Sequence, residues 1–152
     1  MPAFSELSPR PKRNEIARWL LLVPGAVLAS VAVRQTVGAV VRAMRLAGSL
    51  DLGGAGFWLA TVSYYALPMF ALVVAGGRIA PRRPLAAALV LAGVGGGLSL
   101  LKHVVMQHLS GNRVGAINWI HFSLEMTGLV AGAVCISRWR RVSGFEPPRD
   151  AR

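Results

Sequence analysis

LGGAGFWLATVSYYALPMFALVVAGG, residues 52–77, runs for 26 positions without a charged side chain. A helix needs roughly 20 apolar residues to cross the hydrocarbon core of a bilayer, so this stretch alone is long enough to span. Outward from it, 19–33 and 84–101 are also uncharged, and 114–137 contains a single Asp, Glu, Lys or Arg, at Glu125. The chain has 152 residues, 54% hydrophobic and 15% charged, whereas soluble domains carry about a quarter charged residues. Disorder is excluded and a water-soluble globule is a poor fit. The expected fold is all-α, an integral membrane four-helix bundle with spans near 16–33, 56–77, 85–109 and 114–136. Tails at 1–15 and 142–152 flank a single transmembrane domain, 16–141.

The 17 Lys and Arg outweigh 6 Asp and Glu, a balance that also suits nucleic-acid binding. Their placement argues otherwise. With both termini cytoplasmic, Arg10, Lys12, Arg13, Arg18, Arg78, Arg82, Arg83, Arg138, Arg140, Arg141, Arg149 and Arg152 lie inside. Only Arg34, Arg42, Arg45 and Arg113 lie outside, and Lys102 falls within a span. Twelve against four is the positive-inside bias of an even number of crossings. The expected partners are therefore membrane lipids, with anionic headgroups drawn to the basic clusters, together with a second copy or a partner membrane subunit, and no nucleic acid. The abundance of Ala, Val and Gly, with Arg far above Lys, points to a bacterial inner membrane.

Two segments carry alternatives. The basic leader, the apolar run 19–33 and the small residues Ser30 and Ala32 also describe a cleavable signal peptide; Pro24 and Gly25 lie where a first span would bend. The interval 34–48, with three arginines, either lies along the outer interface as a separate helix or prolongs the first helix beyond the membrane. In helical projection Val37, Val40, Val41 and Met44 form its apolar side, with the arginines elsewhere. The turn at 50–54, the basic loop at 78–84 and the turn at 110–113 separate the remaining spans.

Gly93, Gly95, Gly96 and Gly97 in the third span let helix backbones approach in lipid. A phosphate-cradling loop is a weaker reading, since no Lys-Ser or Lys-Thr follows them. Cys135, the sole cysteine, reads as a small apolar core residue.

Chemistry concentrates in KHVVMQHLSGNRVGAINWIHFSLEMTG, residues 102–128. Two antiparallel helices joined by a short turn place residues equally far from that turn at similar depth. His103 and His121 then share a level, and Glu125 lies about 20 Å below the turn at 1.5 Å per residue, near the bilayer midplane. Helical side chains lean toward their own N-terminus, which tilts Lys102 and Glu125 toward each other as an ion pair. Asn118, His121, Glu125, Gly128 and Gly132 recur at steps of three and four, one stripe. Ser99, Lys102 or His103, and Met106 or Gln107 form the facing one. Tyr64 and Tyr65 put further polarity deep in the second span, and His108 sits at the outer interface.

A mid-bilayer carboxylate marks a functional site by default, while a structural clasp or a neutral acid is the plainer explanation of Glu125. Matched histidines suit interhelical hydrogen bonds first. Haem b or a metal with Glu125 as third ligand is the alternative, although tightly packed helices at about 8–10 Å leave little room for haem. Trp119-x-His121 and the glycines after it resemble small haem-binding membrane proteins over a few residues only, too few to carry roles across, and the cofactor stays unknown. No protease, kinase or glycosidase motif is present. Glu125 and His121, four residues apart, are the one conceivable acid and base pair. The reading is thus a small multi-pass membrane protein, non-enzymatic, acting as a transport, sensor or accessory subunit through a Lys/His/Glu seam. A haem or metal redox protein and a lipid-directed membrane enzyme are the alternatives.

Overall fold

The computed structural model describes residues 13–48, 54–81, 83–110 and 115–142. It consists of four long helices: α1 (Arg13–Leu46), α2 (Ala55–Ile79), α3 (Pro84–Leu109) and α4 (Gly115–Val142). Each contains a window long and apolar enough to cross a membrane, so the all-α four-helix bundle fits a small multi-pass membrane protein. The parts of the tails and turns at 1–12, 49–53, 82, 111–114 and 143–152 lie outside the described residues.

Of the two courses open to 34–48, the structure takes the prolonged first helix and not a separate interfacial one: α1 continues to Leu46 and passes Pro24 without a break. Nothing in 34–46 stops a helix: it contains neither proline nor a paired glycine, and the left-handed φ of 66° falls at Gly48, just past the end. Likewise α4 carries its basic run into its last turns rather than ending at 136. Cations there oppose the negative end of the helix dipole.

The helices alternate in direction, with α1 and α3 antiparallel to α2 and α4. The centre of the fold is α2, which packs against all three others, while α4 packs on α2 and α3. Backbone contact of α1 is with α2 alone. At the end where α1 begins, Leu22 and Ala26 join Ala80, Ala87 and Leu91 in one buried cluster, and Val73, Ala88, Leu129 and Ile136 form a second. At that same end the Arg78 guanidinium lies over the Trp139 ring at 5.6 Å.

Small residues dominate the inside and large apolar ones the outside. Ala26 and Ala88 are fully buried, whereas Leu20, Leu59 and Leu98 are 74%, 69% and 63% exposed. Water would penalise such an arrangement; lipid does not, and rewards close backbone approach instead. The closest approach is between α4 and α2. A side chain at Gly128 would strike the Ala66 backbone, and one at Gly132 would come within 2.9 Å of Val73 Cβ and 3.1 Å of the Phe70 carbonyl oxygen. In α3, Gly95 and Gly96 face Leu129 and Met126, but Gly93 and Gly97 have nothing within 4 Å. Only half of that glycine cluster therefore serves the packing expected of all four.

Gly128→Ala should accordingly lower stability by about 1–3 kcal/mol through overpacking, while Gly97→Ala should stay within about 0.5 kcal/mol of the parent. Thermal unfolding of the detergent-solubilised protein checks both, and an equal response would contradict the assigned faces.

Candidate functional site

Glu125 is the most completely enclosed charged side chain among the described residues, 1% exposed. It comes from α4 and meets α3, whose periodicity stacks Ser99 and His103 one turn apart on the buried side while Lys102 stands beside them on the outer side. One carboxylate oxygen, Oε1, accepts from Lys102 Nζ at 2.5 Å. The other, Oε2, accepts from the Ser99 hydroxyl. Both oxygens are thereby engaged, which is the condition for tolerating a charge in an apolar interior.

The Lys102 side chain is 44% exposed. It reaches inward from the rim of the bundle, its aliphatic stem outside and its ammonium closing the seam.

His103 lines the same seam. Its Nδ1 lies 2.8 Å from the Ser99 carbonyl oxygen, which only accepts, so the proton is on Nδ1. That nitrogen is also 3.9 Å from Glu125 Oε2. Across the interface the Asn118 side-chain amide donates to the His103 carbonyl at 2.9 Å, and the Phe122 ring meets His103 edge-on at 5.6 Å. Among the described residues no buried side-chain nitrogen or oxygen lacks a partner.

The expected seam is therefore assembled in large part: Ser99, Lys102, His103, Asn118 and Glu125 converge. Met106 is 56% exposed and outside it, and Gln107, which has interactions of its own, is half-buried further along α3. His108 is exposed at the end of α3.

His121 departs from expectation. It does not face His103 as a matched pair and makes no hydrogen bond with Glu125. Its ring stacks on Tyr65 of α2, with centroids 4.0 Å apart and planes 13° from parallel. The α4 stripe spans an arc of about 80° at 100° per residue, wide enough to divide between two neighbours. Asn118 and Glu125 turn to α3; His121, Gly128 and Gly132 turn to α2. Among the described residues, no three His, Cys, Asp or Glu side chains come together as a metal-binding group.

On the far side of α2 lies a second polar system. Tyr65 packs edge-on against Tyr64 at 5.3 Å, and the Arg34 guanidinium of α1 sits over the Tyr64 ring at 5.2 Å. These groups floor a cavity of about 650 Å³ between α1, α2 and α4, also lined by Arg42, Arg45, Phe57, Trp58, Ile117 and Ile120. Arg34, Gly38, Val41, Arg42 and Arg45 share the face of α1 that lines it. The apolar side of this segment is divided: Val41 lines the cavity, while Val40 is 53% and Met44 37% exposed. Against lipid the apolar side of a helix points outward, which reverses the rule for water. The available signal was the spacing 34, 38, 41, 45, three polar or small positions and one valine on a single face.

A scan of protein-family models, a search of curated proteins and a search of solved structures each returned no match. What the site can do rests on its own geometry: it holds one enclosed carboxylate between a serine and a lysine whose side chain is half exposed.

Breaking the pair from one side leaves a charge without its partner. Lys102→Met should destabilise more than the double variant Lys102→Met/Glu125→Gln, with a coupling of about 1–3 kcal/mol in a double-mutant cycle. Additive losses in thermal unfolding would mean that the two side chains act separately.

Proposed function

We propose that this is a non-enzymatic multi-pass membrane protein, a small transport, sensor or accessory subunit, whose working part is the seam of Glu125, Lys102, Ser99 and His103. The observation that carries this reading is a carboxylate sealed between two apolar helices and held by a lysine whose side chain is half exposed. Four helices of spanning length support a mid-depth position for the pair in a bilayer, where an ionisable side chain marks a pathway, a relay or a sensor by default. The composition supports a bacterial inner membrane. Copies of the same chain or a partner subunit would meet its large exposed apolar surface.

The chemistry is that of a latch. With Glu125 ionised, Lys102 is drawn inward and α3 is tied to α4. A proton on Glu125 removes the charge, Ser99 and Asn118 keep their contacts, and the Lys102 ammonium is free to extend its stem toward the interface. The titratable groups around the carboxylate are Lys102 and His103 on α3, His121 one turn away on α4, and Tyr65 on α2. The pairing of Glu125 with Lys102 rather than with His121 favours this latch over acid and base catalysis.

The test is a spin-label distance across the seam in proteoliposomes, with Val105→Cys on α3 and Ser123→Cys on α4 in a Cys135→Ala background. The distance distribution should shift with pH, and Glu125→Gln should hold it in its low-pH form at every pH. Invariance in both proteins would make the pair a static clasp, and a shift that persists in Glu125→Gln would move the sensor elsewhere; either result overturns the reading.

A further inference from the structure

We infer that the cavity between α1, α2 and α4 is a binding site for a phosphate-bearing amphiphile, an anionic lipid headgroup with the first carbons of its chains. The inference shares with the proposed function only the placement of the helices across a bilayer, and it concerns a different set of residues.

The cavity lies at the end of the bundle where α1 finishes and α2 and α4 begin. It exists because α1 and α4 both pack on α2 but make no backbone contact with each other. Its volume, about 650 Å³, falls within the range of about 300–1,000 Å³ typical of small-molecule sites.

Its lining specifies the ligand. Three arginines of one helix, Arg34, Arg42 and Arg45, line the cavity, and among the described residues no carboxylate does. Arg42 and Arg45 are three residues apart and therefore neighbours on the helix surface, at the mouth. Arg34 lies about 12 Å deeper than Arg42 at 1.5 Å per residue, over Tyr64. A cluster of arginines suits a tetrahedral phosphate, which accepts several charge-assisted hydrogen bonds at once. A bare anion would use only that part of the site. The walls between the two levels are Val41, Phe57, Ile117 and Ile120, apolar surface that rewards a hydrocarbon body below the headgroup. The floor returns to polar groups, with Tyr65 and His121 stacked beside Tyr64, so the apolar walls take only the first carbons of the chains below the phosphate and its glycerol esters.

The experiment is native mass spectrometry of the full chain released from detergent micelles doped with phosphatidylglycerol, with phosphatidylcholine, or with inorganic phosphate. Phosphatidylglycerol should be retained about tenfold more than phosphatidylcholine, and Arg42→Gln/Arg45→Gln should remove about that factor, as expected for two charge-assisted contacts. Arg78→Gln, which changes a guanidinium packed on Trp139 at the other end of the bundle, should leave retention unchanged. Ile120→Trp keeps every charge but narrows the apolar wall of the cavity, and should also lower retention. Equal retention of the two lipids overturns the proposal. So does retention that is unchanged by Ile120→Trp, which would assign the effect to a basic surface. Inorganic phosphate that displaces the lipid at equal concentration would make the ligand a free anion and remove the amphiphile. A pH-insensitive seam leaves all of these outcomes unaffected, so the two readings fail separately.

Discussion

A buried carboxylate needs partners from the protein when no water reaches it, and Glu125 finds two, one for each oxygen. That constraint organises α3. Ser99 and His103 must lie on the buried side, Lys102 must be within reach from the rim, and the helix can rotate little without losing one of them. Where side chains are mostly apolar and face outward, dispersion alone distinguishes poorly between rotations, so a few polar contacts set the register. Asn118, donating to the His103 carbonyl, fixes the same pair of helices one level nearer the turn.

The α2–α4 contact follows a different logic. Its helices meet through absence of side chains: Gly128 and Gly132 bring α4 onto the backbone around Ala66 and Phe70, and Gly77 admits Ile136. Close parallel backbones gain contact over many atoms, each worth about 0.1–0.2 kcal/mol. They also leave no room for polar groups, which are displaced to the two flanks, the Glu125 seam toward α3 and the His121–Tyr65 stack toward α1.

The spanning helices were legible in the sequence because hydrocarbon thickness imposes a length, and the Lys102–Glu125 pair because a short turn between antiparallel helices fixes depth. Depth, however, is one coordinate of three. Nothing in the sequence orders the helices around α2, so the turning of His121 to Tyr65 rather than to His103 was not accessible. Which glycines meet backbone depends on rotation as well, and Gly93 and Gly97 look no different from Gly95 and Gly96 in the chain. The arginines of α1 were visible as charges set apart from an apolar side, but which face of the helix meets its neighbours depends on its rotation, and that made the arginine face the wall of a cavity.

Two polar systems of opposite character therefore sit on either side of one tightly joined helix pair. The seam is balanced, with one acid against one amine and both carboxylate oxygens engaged. The cavity is unbalanced, with three cations facing no described carboxylate, and it is open at one end. The glycine contact between α2 and α4 separates the two systems, so the acid and amine meet on the α3 side of this helix pair and the arginines stand on its α1 side.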